Sequence, residues 1–313
     1  MIRLIFSYVF TLLFLNAFAD PGVGIVSDSK GNIFYTDLSQ VWMIKPNGNK
    51  SIAVPNVHTH ELYINTKDEL FGEHLWYNGE QLNTWGHYLW KRNADGTIVK
   101  IKDSTAGFAD ESFVRDIAGN KYVVEKDIPS KFWMMDTTGK KFLLGEASLS
   151  GIGRLHISPK GKLYFNNKND LYVIPSGDTL QLFLKDAGET APFESTANGT
   201  HSILSTWSDS KDNLYIATGN VIKQITKKKI INTIYKSTGD WYPCSGVITS
   251  NGDFWVLESN SKNEVRVNKI SAAERKQIVK EHVFEVYIMP LLIISGILVL
   301  LYFLFRKKAS INS

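Results

Sequence analysis

The sequence predicts an all-β protein, a six-bladed β-propeller, carrying an N-terminal signal peptide and one C-terminal transmembrane helix. Three observations carry this reading: a phrase repeated six times in 313 residues, and an uncharged apolar run near each end. The copies span Gly24–Asp37, Glu61–Glu73, Ser112–Glu125, Arg154–Asn167, Ser205–Thr218 and Ser245–Glu258. In each, an apolar run enters a polar turn centred on Gly or Asp and leaves as a β-rich run. A strand-and-turn unit recurring about every forty residues is the mark of a propeller, because one unit cannot bury its two faces alone.

The turn positions are Gly31, Asp68, Gly119, Gly161, Asp212 and Gly252. Gly and Asp tolerate the left-handed backbone of tight hairpins. A second apolar run and turn follows in each unit, as in Val41–Gly48, Leu89–Gly96, Phe132–Gly139 and Leu171–Gly177. Units five and six carry degraded forms, Val221–Lys228 and Val265–Ser271. Two turns per unit make four strands, one blade. Trp42, Trp90, Trp133 and Tyr172 recur at one place in successive units and are expected to pack between blades. Two segments break the spacing, Gly72–Tyr88 in blade two and Asp186–Thr200 between blades four and five. Lengthened loops on a regular scaffold are where function concentrates.

Residues 1–19 hold one basic residue, Arg3, then a mostly apolar run ending in Ala17-Phe18-Ala19, a pattern that predicts a secretory signal. Residues 20–270 form the propeller and 271–285 a polar, helix-prone stalk. Residues 286–305 are uncharged and long enough, at about 1.5 Å per residue, to span about 30 Å of hydrocarbon. Arg306, Lys307 and Lys308 open the tail 306–313 and place it in the cytoplasm, with the propeller in the periplasm or outside the cell. Four of the basic residues lie outside 20–285, so the net charge of +4 is charge at the chain ends, with no footprint for nucleic acid. Cys244 is the single cysteine, so no internal disulfide supports the exported domain.

Asp28-Ser-Lys-Gly-Asn32 and Asp116-Ile-Ala-Gly-Asn120 resemble the NHL repeat. The whole ring, residues 21–270, is similar to the gluconolactonase- and strictosidine-synthase-like six-bladed propellers. That resemblance implies a divalent metal on the axis, held by acidic and amide side chains at the start of the innermost strands, eight residues before the turn. The corresponding positions here are Val23, His60, Glu111, Gly153, Leu204 and Cys244, and a small shift in blade five would bring in His201 or Ser202. The Asn and Asp ligands are missing. His60, Glu111 and Cys244, with His58, form a donor set that suits zinc better than calcium.

Four of the seven histidines fall between residues 58 and 87. His58 and His60 share one face of a strand, since side chains repeat every two residues. Glu73, His74, Trp85 and His87 lie on the lengthened hairpin and are candidate ligand-binding residues, as are Trp207, Trp241 and Tyr242 at a pocket mouth. The same histidines and tryptophans also suit simple packing between blades. The leading function is a membrane-tethered binding or sensing module for a protein, glycan or small molecule, with a metal such as zinc as its cofactor if the histidines ligate. The alternative is a metal-dependent hydrolase of a small ester or lactone.

Overall fold

A computed structural model of the chain describes residues 22–79, 81–82, 84–106, 113–189, 203–283 and 288–299. The signal, most of the polar insertion, Glu111 and the tail therefore lie outside the described residues. Six antiparallel sheets are built from strands in sequence order. Blade one holds β1 (Ile25–Ser27), β2 (Ile33–Thr36), β3 (Val41–Ile44) and β4 (Lys50–Val54). Blade two holds β5 (Tyr63–Ile64), β6 (Leu70–Tyr77), β7 (Trp85–Arg92) and β8 (Ile98–Ala106). Blade three has β9 (Lys121–Glu125), β10 (Ser130–Met135) and β11 (Lys141–Ala147), and among the described residues its inner place is marked by the bridge Arg115–Lys121. Blade four comprises β12 (Ile152–Ile157), β13 (Leu163–Asn167), β14 (Asp170–Ile174) and β15 (Gln181–Leu184). Blade five comprises β16 (Ile203–Ser208), β17 (Leu214–Thr218), β18 (Val221–Ile225) and β19 (Ile231–Lys236). Among the described residues blade six holds three strands, β20 (Trp241–Ile248), β21 (Phe254–Asn260) and β22 (Val265–Ile270).

The degraded repeat of blade five thus forms all its strands, whereas blade six exchanges its fourth for helix α1 (Ala272–Val283). A capping box makes the exchange. The Glu274 amide donates to Ser271 Oγ at 3.2 Å, and the Ser271 amide donates to Glu274 Oε2 at 2.7 Å. Such a box satisfies two orphan N–H groups and starts a helix where the chain would otherwise extend. The expected stalk is therefore docked: α1 leans on β19, and Ile278 joins the apolar cluster between blades five and six. Residues 288–299 are helical with exposed Leu and Ile side chains. Among the described residues no helix is long and apolar enough to cross a membrane.

The repeated turns hold themselves closed. Asp209 Oδ1 accepts from the Lys211 and Asn213 amides, both at 2.9 Å, and Oδ2 accepts from Asn213 Nδ2 and the Tyr215 hydroxyl. Asp28 with Asn32, and Asp116 with Asn120, make the same closure. In Asn65–Glu69 the roles are swapped, Asn65 Oδ1 accepting the Glu69 amide and Nδ2 donating to the carboxylate. The Asp and Asn that resemble the NHL repeat are thus turn-forming residues. Asp68 and Asp212 stand where other units have glycine, at φ of 59° and 65°. Replacing Asp209 with Ala is expected to cost about 1–2 kcal/mol, since the amides regain water but the buried Tyr215 hydroxyl loses an acceptor. A D209N variant that matched D209A in thermal melting would contradict this.

Packing between blades supplies the core. One cluster joins blades one and two around Trp90 and Leu70, another blades three and four around Phe132 and Phe165. Leu171 and Ile216 lie between four and five, Trp207 and Phe254 between five and six, and Tyr35 and Leu257 between six and one. Side chains of this size contribute about 1.5–3 kcal/mol each when fully buried. Trp90, Trp42 and Tyr172 take the interblade places expected of them.

Candidate functional site at the axial mouth

The inner strands all begin on one face, which we call upper; their hairpin turns form the lower face. Bulges interrupt these strands at matching places, between Ile152 and Leu155, Ile203 and Ser205, and Pro243 and Ser245. Gly153, Leu204 and Cys244, the positions eight before the turn, are therefore bulge residues. One residue further on, seven before the turn, stand Gly24, Glu61, Ser112, Arg154, Ser205 and Ser245. Two of these carry opposite charge, and they meet. Arg154 Nη1 of blade four donates to Glu61 Oε1 of blade two, stepping over blade three across the axis. Their side chains keep 25% and 32% of their exposure, so the pair sits at the mouth and not in the core. Ser205 Oγ donates to the Cys244 carbonyl at 2.6 Å, tying blades five and six at the same level.

Beside this pair lies a histidine relay. His58 Nδ1 is 2.7 Å from the Leu38 carbonyl, which can only accept, so that nitrogen carries a proton. His58 Nε2 faces His60 Nε2 at 3.0 Å, with the rings at 83°. One proton is shared there, and in the neutral pair His60 donates it. The His58 amide donates to His74 Nδ1 at 2.9 Å, which fixes the His74 proton on Nε2. Burial first, and then His58, hold the His74 pKa below its ordinary value.

The other candidates divide. His74 stacks on Trp76 and tilts against Tyr88, while Trp85 packs on Tyr77, all on the lengthened β6–β7 hairpin. His87 is buried on the face turned toward blade three, the side on which its neighbour Glu73 also lies. Trp207 stacks on Tyr215 and Phe254 within the core, Tyr242 is buried, and Trp241 lies beneath Arg266 at 4.2 Å. Those three pack blades five and six, where the sequence alone points to a pocket mouth. Periodicity shows which residues share a face, not whether that face meets solvent.

The expected metal set does not assemble among the described residues. His58 and His60 come together, but no group of three His, Cys, Asp or Glu side chains converges with them. Cys244 is fully buried, with its Sγ turned toward the Tyr242 carbonyl at 3.8 Å. Glu111, the remaining member of the expected set, lies outside the described residues.

Across the channel, His156 Nε2 lies 2.8 Å from Ser208 Oγ. Burial lowers its pKa to about 4, with Asp212 opposing. An unfolded histidine, with a pKa of about 6.5, binds its proton first, so the stability His156 contributes is present above that pH. It is lost as pH falls from about 6.5 towards the folded value. The loss is expected to approach roughly 3 kcal/mol in melts of the native chain, and a H156Q variant should lack it. Equal pH profiles for both proteins would refute this.

No known family's sequence profile matches the chain, and no curated protein sequence matches it. Solved structures do share its fold. A gluconolactonase from Xanthomonas campestris is 10% identical, with a TM-score of 0.51 over 80% of this chain and 85% of its own. A luciferin-regenerating enzyme is also 10% identical and scores 0.51, over 80% and 91%. A putative gluconolactonase is 12% identical at the same score and coverage. The protein is a six-bladed β-propeller, the fold it shares with these structures. At such identities the likeness is one of fold.

Proposed function

We propose that the protein is a membrane-tethered, extracytoplasmic propeller that binds or senses an anionic ligand at its axial mouth. The observation that carries this is the Glu61–Arg154 pair bridging non-adjacent blades. A partly exposed ion pair contributes only about 0–1 kcal/mol to stability. It does hold a guanidinium, able to take a carboxylate or phosphate by two parallel bonds, at the centre of the upper face. An incoming anion would displace Glu61 and complete the same bonds. The tether in this reading is the apolar run 286–305, with the signal at 1–19 directing export.

The test is a thermal-shift screen of the full chain in nanodiscs against sugar acids, hydroxy acids, dicarboxylates and phosphates. E61Q should strengthen the response to an active anion and R154Q should remove it. A panel that shifts neither the native chain nor E61Q sinks the proposal. Elemental mass spectrometry of the native chain and of a H58A/H60A variant addresses the lactonase alternative, which requires a bound metal lost in the variant. Because Cys244 is buried, single cysteines placed at Ser51 and Ser310 can report orientation to an impermeant maleimide. Labelling at residue 51 alone in intact cells is expected.

A further inference from the structure

The lower face between blades four and five gathers charge of one sign. Side chains from three turns meet there: Ser158–Lys162 between β12 and β13, Asp209–Asn213 between β16 and β17, and Thr226–Ile230 between β18 and β19. The backbone of each turn is closed on itself, the Lys162 carbonyl accepting from the Ser158 amide and the Ile230 carbonyl from the Thr226 amide. Asp212, on the middle turn, has a side chain only 2% exposed and accepts from Lys162 Nζ at 3.1 Å. The Lys227 amine lies within hydrogen-bonding reach of Lys160 and in the field of both Lys162 and Asp212. Three ammonium groups thus converge above one carboxylate.

Lysines on solvated turns can spread apart, and like charges held this close repel. Here Lys160, first through its hydrogen bond and then through its charge, lowers the Lys227 pKa. Asp212 is buried beneath its partner Lys162, whereas Lys160 and Lys227 are exposed, so a ligand meets the amines first. The carboxylate offsets one of the three positive charges, and two remain in the cluster. A phosphomonoester carries a charge of about −1.5 to −2 at neutral pH and three strong acceptor oxygens, which matches both the surplus charge and the three donors. A carboxylate or a sulfate ester brings only a single charge. We infer that the lower face between blades four and five is a binding site for a phosphomonoester dianion, separate from the axial mouth. Lysine acts on phosphate as a point charge with rotatable donors, so the same cluster suits a soluble ester and a lipid headgroup.

The test is calorimetric titration of the full chain in maltoside micelles and phosphate-free buffer, with phenyl phosphate and with phenyl sulfate. The phosphate should bind about tenfold or more tightly than the sulfate, the difference an added charge-assisted bond produces. K160Q and K227Q, both at exposed positions where folding is not at risk, should each weaken the phosphate about fivefold or more. The double variant should bring it to the level of the sulfate, while R154Q and K67Q should change neither ester. Phosphatidic acid added to the micelles will compete with phenyl phosphate where a lipid headgroup is the natural source. It will leave the titration unchanged where the source is a soluble ester, and either result keeps the site. Equal binding of the two esters, full binding in the double variant, or no binding of the phosphate up to low millimolar concentration would each overturn the inference. Loss of binding in R154Q would overturn it as well, by assigning the phosphate to the axial mouth.

Discussion

Replacing Glu258 with Ala is expected to destabilise the propeller by roughly 3–5 kcal/mol, the range for breaking a buried ion pair from one side. Glu258 lies in β21 with no exposure at all. Its Oε1 accepts from Ser237 Oγ, and its Oε2 accepts from Asn268 Nδ2 and from Arg266 Nε at 2.5 Å. The carboxylate thereby satisfies donors from blade five and from β22, the last strand of blade six. Arg266 in turn covers the Trp241 ring, and its pKa is raised chiefly by its bond to Glu258. Removing the carboxylate strands the buried Ser237 hydroxyl and leaves Arg266, whose side chain keeps 35% of its exposure, without its anion. E258Q keeps the oxygen for Ser237 but not the charge for Arg266, so its loss should be smaller. Urea denaturation followed by tryptophan fluorescence measures both, and a loss below about 1 kcal/mol for E258A would refute the assignment.

The second large effect is expected at a glycine. Gly72 in β6 pairs directly with Trp90 in β7, and a Cβ added at Gly72 would fall inside the Trp90 ring. Trp90 is 1% exposed and anchors the core between blades one and two, so it has nowhere to move. Gly72→Ala should cost about 3 kcal/mol, the upper part of the range for overpacking. Gly145 provides the contrast. Its nearest neighbour, Ile174 Cδ1, stands 3.7 Å from an added Cβ, so Gly145→Ala should change stability by less than about 0.5 kcal/mol. Similar melting temperatures for the two variants would show that the ring contact is not what fixes Gly72. The same hairpin repeats the device, with Gly86 opposite Trp76.

Much of this was legible in the sequence, and the remainder has definite physical causes. Six phrases spaced by turns become six blades, since the turn chemistry of Asp209 or Asp28 is local. The segment 72–88 stands out as a lengthened hairpin, and β6 and β7 are eight residues each where β2 and β3 are four. Counting eight residues back from each turn fails for a structural reason. Bulges put an extra residue into the inner strands, and Gly153, Leu204 and Cys244 are those residues. Seven back lies the Glu61–Arg154 pair, 93 residues apart in the chain. Its signal was present: a lone Glu and a lone Arg at one repeat position among glycine and serine. The turn from β22 into helix α1 was also written, in Ser271 and Glu274, as a capping box. Which side chains meet across each seam was not legible, because those partners are supplied only by the closed ring.

In a ring of six, the seam between blades two and three stands diametrically opposite the seam between five and six, against which α1 docks. Ile278 of α1 packs on the apolar cluster of the second seam, while among the described residues the first has no cluster of buried apolar side chains. Amides of β5 and of the lower part of β6 should therefore exchange with deuterium faster than those of β16 and β17.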